Sequence, residues 1–285
     1  RSIIFNHDGT RTAGPFGFLA YRTSLQMNFL KWTGRTYLVC ILLFLYVPIL
    51  VMIALSFNES QLYRLPIEWS SRWYEALANN SKLHSATLNS LTVAFLSTCL
   101  STLMGTAVAL AFFRYHFKAK RLLQILIFPP ITIPWLIIGT AMLVFFFWVG
   151  IGRGLHAMVL GHVALSLPYV VIVVSARLKS FDSALEDAAR SLGASYWQTT
   201  LWVTVPWLMP GIIAAALFAF AVSLDQFVIS YFLAAPGVTT LPVEIYTAIR
   251  KGFTPEINAI STLVIILSML LLLGVSRFYR FGGRD

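Results

Sequence analysis

Charge is what this sequence has least of. Only 11% of its 285 residues are Asp, Glu, Lys or Arg, against about 25% in an ordinary soluble domain. So few cannot cover a water-facing surface, which excludes a soluble enzyme or scaffold and makes lipid the solvent. Cysteine is almost missing too. Cys40 and Cys99 both sit in apolar stretches and read as buried free thiols, not as a disulfide or a metal pair. No second His, Cys or carboxylate stands at ligand spacing beside the intramembrane His162, so that residue reads as a satisfied packing group and no metal site is expected. A nucleotide-binding Walker motif is absent. Gly150, Gly152 and Gly154 have no strand before them and no G-K-[ST] after them, so they read as a hairpin between two membrane helices. The first 35 residues lack an apolar core of signal length, and no cleavable signal is expected there.

What the chain does have is apolar length. Hydrophobic residues make up 58% of it. Six stretches, near 37–56, 87–113, 122–148, 155–176, 207–233 and 257–276, reach or approach the roughly 20 residues a bilayer crossing takes. An all-α polytopic protein with six transmembrane helices follows. The net charge of +10 does not point to nucleic acid, because of where it lies. With residues 1–36 inside and the sides alternating, 15 of the 21 basic residues fall inside and 6 outside. That bias places both termini in the cytoplasm and the basic excess against anionic lipid. The organisation expected is a cytoplasmic segment 1–36 whose last turns lie on the membrane surface, a transmembrane domain 37–276 and a cytoplasmic tail 277–285. Outside, "SSRWYEALANNS" should form a short helix capped by Ser70 or Ser71.

Between the fourth and fifth stretches lies a polar interlude, 181–206, on the expected cytoplasmic side. Ser183 and Glu186 have capping-box spacing. Leu185, Ala188, Ala189 and Leu192 follow at i, i+3, i+4 and i+7, on one helical face. Gly193 stands where a helix ends most easily, and Ser195 with Gln198 repeats the capping-box spacing. The code is helix, glycine bend, helix, up to Pro206. An amphipathic helix on the lipid surface would want Lys and Arg on its polar face, but Glu186 and Asp187 are here. A DNA-reading helix-turn-helix is disfavoured by the acidic start and by the membrane tether at both ends. A stripe built on alanines instead suits docking into a cytoplasmic partner.

The stretch "DAARSLGASYWQTTLWVTVP" resembles the EAA loop of the membrane subunits of ABC importers: E-A-A, three residues, Gly, nine residues, I-x-L-P. Asp187, Ala188, Ala189, Gly193, Val203, Val205 and Pro206 occupy those positions, with Asp187 in the Glu place and Glu186 just before it. From Val47 to about Leu272 the chain is similar to the spermidine/putrescine permease subunits, through "SFN", "RY.F..K", "RLKSFD", "SLDQFVIS", "TLPVEIY" and "PEINAISTL". Where those relatives usually show an acidic pair, this chain has Asp225–Gln226. The resemblance implies a type I ABC importer permease fold in a bacterial inner membrane, a paralogous permease partner, a homodimeric cytoplasmic ATPase that binds ATP and Mg, and an extracytoplasmic solute-binding protein. The chain itself would hold no cofactor and catalyse no reaction. Glu186, Asp187, Ala188, Ala189, Gly193 and Pro206 would couple it to the ATPase. The solute would be a polyamine, or failing that another small solute such as an amino acid derivative, an opine or an aminophosphonate.

Asp225 is the carboxylate placed inside a span. A charge there costs about 2.5–3.5 kcal/mol on insertion scales and must face a cavity or a partner. Two readings stay open, a cation-attracting group in the path and an ion pair with the partner permease. Ser223, Ser230 and Tyr231 stand near it as candidate path residues. Pro129, Pro130 and Pro134 interrupt the third span and Pro168 the fourth, as breaks marking a path or as packed kinks. The aromatics Trp135, Phe145, Phe146, Phe147 and Trp148 are expected to face lipid for the most part. A secondary transporter would need several intramembrane carboxylates, and a membrane enzyme would need clustered His, Asp or Ser at one depth. The spans carry neither.

Overall fold

The computed structural model describes residues 15–60, 66–251 and 255–282, with side chains for 31–60, 66–250 and 256–270. Every regular element among them is a helix, as lipid requires of backbone groups that no water can satisfy. The chain divides into two compact units, residues 1–74 with 258–285, and residues 75–257.

In the first unit, α1 (Pro15–Leu55) has a membrane-length part, Lys31–Leu55, whose most apolar 18 residues have mean hydropathy 3.1. The helix is already formed well before residue 37, so no element boundary separates the expected N-terminal segment from the first span. Pro48 lies inside it without ending it. The chain then folds back through a small aromatic knot. The Trp73 indole donates to the Asn58 carbonyl at 2.7 Å, the Ser56 and Tyr74 hydroxyls meet at 2.7 Å, and the Phe57 and Tyr74 rings lie 5.0 Å apart. Ser70 accepts from the Arg72 amide at 3.2 Å and opens α2 (Arg72–Ala78), as its sequence position suggests. The sixth expected span falls on α12 (Pro255–Gly282). The expected tail from 277 on is still helical through Gly282.

The second unit holds the core. Helix α3 (Ser81–Arg114), capped by the Asn80 side chain, buries Ala86, Ser90, Ala94, Ser97, Ser101, Gly105 and Ala109 along one face. Small residues at this spacing let helix backbones approach closely, which is how helices associate when lipid is as apolar as leucine. They pack on α7 (Leu155–Leu178), the most buried membrane-length helix, and on α10 (Val205–Leu224), which also packs on α7. α7 runs unbroken through Pro168, which therefore does not interrupt the span: with α3 and α10 on its flanks, the proline is a packed residue. Two apolar clusters form, one around Val93, Met158, Val163, Ile229 and Leu233, the other around Ala109, Val174, Leu178, Leu208 and Ala219. Ser97, Ser101, Ser166 and Ser223 fall between them along their helices.

Two expected spans are broken. Residues 122–148 are not one helix: α4 (Lys120–Ile127) and α5 (Pro129–Thr132) meet α6 (Trp135–Trp148) at 111°. Ile133 is extended and Pro134 caps α6, so the backbone turns where proline forbids helix before it. Residues 207–233 break at Asp225, where α10 ends, and resume as α11 (Val228–Leu233). Four helices are long and apolar enough to cross a membrane among the described residues, and five if the bent pair counts as one span. Gly150, Gly152 and Gly154 all have positive φ and form the hairpin between α6 and α7, tied by the Gly154 amide to the Leu233 carbonyl at 2.9 Å. Cys40 and Cys99 are free, but both are exposed and not buried. Of the five aromatics expected to face lipid, only Phe146 is in the core.

A Cβ on Gly161 would lie 2.6 Å from Ile229 Cγ2 and 2.8 Å from Leu233 Cδ1, and both side chains are fully buried. Gly161→Val should cost about 1–3 kcal/mol by overpacking. Gly34→Ala meets nothing within 4 Å and should leave stability unchanged or slightly raised. Thermal unfolding of the two variants in detergent checks both.

Candidate functional site

The polar interlude folds as a helical hairpin. Its first arm is α8 (Ala184–Ser191). The Asp182 carboxylate, not Ser183, accepts from the Ala184 amide at 2.9 Å, and Ser183 makes no side-chain cap because its own backbone is already helical and its carbonyl takes the Glu186 amide. Gly193 ends the arm at φ +90°, with the Ala194 amide reaching back to the Ala189 carbonyl at 3.1 Å. Ser195 and Gln198 form the expected capping box and open α9 (Tyr196–Thr199). The second arm is not a separate helix. It passes through a single π-helical turn, Thr200–Thr204, into α10, so that Tyr196–Leu224 is one helical rod. Pro206 explains the wide turn. It lacks an amide hydrogen and its ring crowds the carbonyl four residues back, and an extra residue in the turn relieves both.

At the root of the hairpin sits a nearly buried ion pair. Arg114, the last residue of α3, reaches Glu186 through Nη2, and their side chains are 10% and 9% exposed. The same guanidinium donates to Thr200 Oγ1 at 2.8 Å, to Thr204 Oγ1 at 3.0 Å and to the Tyr196 hydroxyl at 3.0 Å, and it lies 5.0 Å from the Tyr196 ring centroid. Thr204 also donates to Glu186 at 2.5 Å, and Arg190 stands 3.5 Å from the second carboxylate oxygen. Burial alone would raise the Glu186 carboxyl. Hydrogen bonds from Thr204 and Arg114, with the charges of Arg114 and Arg190, outweigh burial and hold it below its ordinary value. One guanidinium therefore ties α3, α8, α9 and the π turn together.

The predicted stripe faces the other way. Leu185 is 46% and Leu192 90% exposed, Ala188 is exposed and Ala189 half-buried. Asp187, in the motif's acidic position, is exposed on α8, whereas Glu186 turns inward. The carboxylate that makes the ion pair is thus the one before the motif. Arg114 itself reads in the sequence only as one more inside charge. The signal for it was present: Tyr196, Thr200 and Thr204 at i, i+4 and i+8 form a polar stripe on an otherwise apolar segment.

The candidate path residues separate into two places. Ser223 and Ser230 are buried around His162, with Nδ1 2.7 Å from Ser223 Oγ and Nε2 3.0 Å from Ser230 Oγ, and Ser97 Oγ lies 2.9 Å from Ser223 Oγ. The imidazole thus holds the last turn of α10 and the first turn of α11 on either side of the break. Asp225 does not lie within a helix. It caps the C-terminus of α10, with its side chain exposed. Gln226 is buried, and its Oε1 accepts from the Val228 amide at 3.2 Å to start α11. Tyr231 is exposed and packs near Phe227 and Tyr246, at ring separations of 5.5 and 6.1 Å. Among the described residues, no group of three His, Cys, Asp or Glu is placed to hold a metal ion.

Comparison with known proteins agrees with this architecture. Residues 101–284 match the family model described as binding-protein-dependent transport system inner membrane component. The chain is 35% identical to the spermidine/putrescine transport system permease protein PotC of Haemophilus influenzae over 80% of this chain and 89% of that one. It is 37% identical to the putrescine transport system permease protein PotI of Escherichia coli K12 over 78% and 82%. In fold it is similar to a chain of a bacterial ABC transporter involved in the import of the acidic polysaccharide alginate, with TM-score 0.73 at 17% identity, covering 93% of this chain and all of that one.

Glu186→Ala strands a nearly buried guanidinium and should destabilise the protein by about 3–5 kcal/mol, whereas Arg114→Met with Glu186→Leu should recover most of that loss. A double-mutant cycle of thermal unfolding in detergent measures the difference. Because the Glu186 carboxyl is lowered on folding, its contribution is present above the ordinary carboxylate range and lost only as pH falls through the lowered value. Protection of the 184–204 amides relative to their intrinsic exchange rates should therefore stay high down to that range and fall below it. His162→Leu leaves the buried Ser230 hydroxyl without its partner and Ser223 with Ser97 alone, at about 1–3 kcal/mol, and should speed exchange at 225–230 more than in the hairpin.

Proposed function

Because the chain belongs to the binding-protein-dependent transport system inner membrane component family, a set of inner-membrane permeases, we propose that it forms half of the translocation path of an ATP-driven importer. The other half is a paralogous permease. A homodimeric ATPase docks below and supplies the ATP and Mg chemistry that this chain has no motif to perform, and a solute-binding protein delivers from outside. Polyamines are the proposed solute class, a reading supported by the two relatives whose names carry spermidine and putrescine.

The observation that carries the coupling role is the hairpin's division of labour. Its small-residue face, with Leu185, Ala188 and Leu192, is exposed, while Glu186 on the opposite face is locked to α3 and to the rod that becomes α10. The ATPase seats on the exposed face around Asp187, Ala188 and Ala189. Its closure moves the hairpin as one body, since Gly193 sets the bend and the π turn before Pro206 continues the second arm into the membrane. Spans move with it, and the path alternates between its two openings. An ATPase that grips the hairpin differently in its two states supplies the bias such a rigid-body change needs.

Gly193→Arg tests this in the assembled complex in proteoliposomes. A bulky side chain at φ +90° strains the bend and crowds the docking face. Uptake and solute-stimulated ATP hydrolysis should both fall, by about 5- to 150-fold if one site–site coupling energy is lost. Unchanged coupling in a complex that still assembles overturns the lever. Uptake of labelled spermidine and putrescine against an aminophosphonate and an amino acid decides the solute class.

A further inference from the structure

The bend that breaks the third expected span leaves a helix with no role in the proposed lever. α4 (Lys120–Ile127) buries none of its residues. Lys120, Arg121 and Gln124 share one side, and Leu122, Leu123 and Leu126 lie opposite. Leu122, Leu123, Ile125 and Leu126 are 43–60% exposed. Lys118 and Arg121 are exposed, and none of Lys118, Lys120 and Arg121 forms an ion pair among the described residues. Lys120 gives one N–H to the Tyr115 carbonyl at 3.2 Å, which folds the preceding loop back on itself.

Position decides what this helix meets. Five residues, 115–119, join it to Arg114, which grips the hairpin, and the Tyr115 hydroxyl lies 2.9 Å from that of Tyr196. α4 is therefore on the face of the membrane from which the hairpin projects. At its other end, α6 has 14 residues, a rise of about 21 Å, and its far end carries the exposed aromatics Phe147 and Trp148 that favour the opposite interface. A hydrocarbon core of about 30 Å then leaves α4, turned 111° from α6, about 9 Å from the boundary on the hairpin side. That is the depth at which amphipathic helices lie in the plane of a membrane. Phe117 and Phe128 are exposed on either side of it.

We infer that α4 is an in-plane surface helix that buries Leu122, Leu123 and Leu126 among acyl chains and binds anionic phospholipid headgroups through Lys118, Lys120 and Arg121. Three unpaired cations beside an exposed apolar face match an anionic bilayer surface in both charge and polarity. Such a site sits five residues from the clamp that holds the hairpin, so the headgroups it gathers lie next to the coupling elements.

The test uses the whole complex with its partner subunits in lipid nanodiscs, with Cys40→Ser and Cys99→Ser and a nitroxide on a single cysteine introduced at Leu122, Leu126 or Gln124. In mixed phosphatidylcholine–phosphatidylglycerol, labels at 122 and 126 should be reached by oxygen and shielded from a water-soluble nickel chelate, and the label at 124 should show the reverse. In phosphatidylcholine alone, or with Lys118→Gln, Lys120→Gln and Arg121→Gln, the seated population should fall, by about fivefold for each basic residue. Lys120→Gln removes the bond to the Tyr115 carbonyl, while Lys118 and Arg121 are exposed, so thermal unfolding of the triple variant should match that of Lys120→Gln alone. Labels at 122 and 126 shielded from both reagents would mean a protein partner covers this face, and labels open to nickel would mean water does. Either outcome overturns the inference, as does seating that ignores headgroup charge.

Discussion

Arg114 ends a helix of 34 mostly apolar residues, and its guanidinium cannot lose its proton. Left unpaired next to a bilayer it would be costly, and everything at this end of the core is arranged around it. Glu186 supplies the counter-charge, and Thr200, Thr204 and Tyr196 supply oxygens. Satisfying one cation in this way fixes three otherwise separate things: where α3 ends, which way α8 faces, and the rotation of the helix that enters the membrane. The stability gained over an apolar replacement is small, since buried ion pairs often only break even. The gain is in specificity of arrangement: five polar side chains meet only if the hairpin has a single pose.

That arrangement also explains which parts of the fold were legible in the sequence. Gly193 and the Ser195–Gln198 box were readable because they are local; each needs only its neighbours within a turn. The Ser183–Glu186 spacing is equally local, but here a long-range partner 72 residues away won the carboxylate, and nothing within the turn signals that competition. The same limit applies to Asp225. Hydropathy runs apolar on both sides of it, so a window sees one span, whereas the helix stops there and restarts at Val228.

The prolines make the point from the other side. Pro134 and Pro168 both stand in apolar stretches, and only Pro134 stands at a helix break. Pro168 is buried in a helix packed by α3 and α10, so packing on both sides keeps α7 helical despite the lost hydrogen bond. Pro134 follows a proline pair and has exposed neighbours, so nothing opposes the turn. Family resemblance located the hairpin and its glycine, but its acidic position is filled by Asp187, which faces outward, and the inward carboxylate lies one residue earlier.

The rod from Tyr196 to Leu224 joins the two polar clusters. Its 29 residues span about 43 Å, with the Arg114 clamp at one end and the Ser223–His162–Ser230 bridge at the other. Between them its packing on α3 and α7 is through small and apolar side chains, such as Gly211 against the Arg177 stem and Ala215 and Ala219 against the core. Such contacts have no directional bonds to break and permit sliding more readily than a hydrogen-bonded seam does. Under the proposed lever, displacement of the hairpin is therefore carried along the rod to its far end. There the chain has three residues without helical structure, 225–227, spanned by one imidazole. The Asp225 amide still donates to the Ala221 carbonyl and the Gln226 amide to the Ser223 carbonyl, so this segment is pinned to the end of α10 and, through His162, to α11, and movement of the rod reaches both sides of the break.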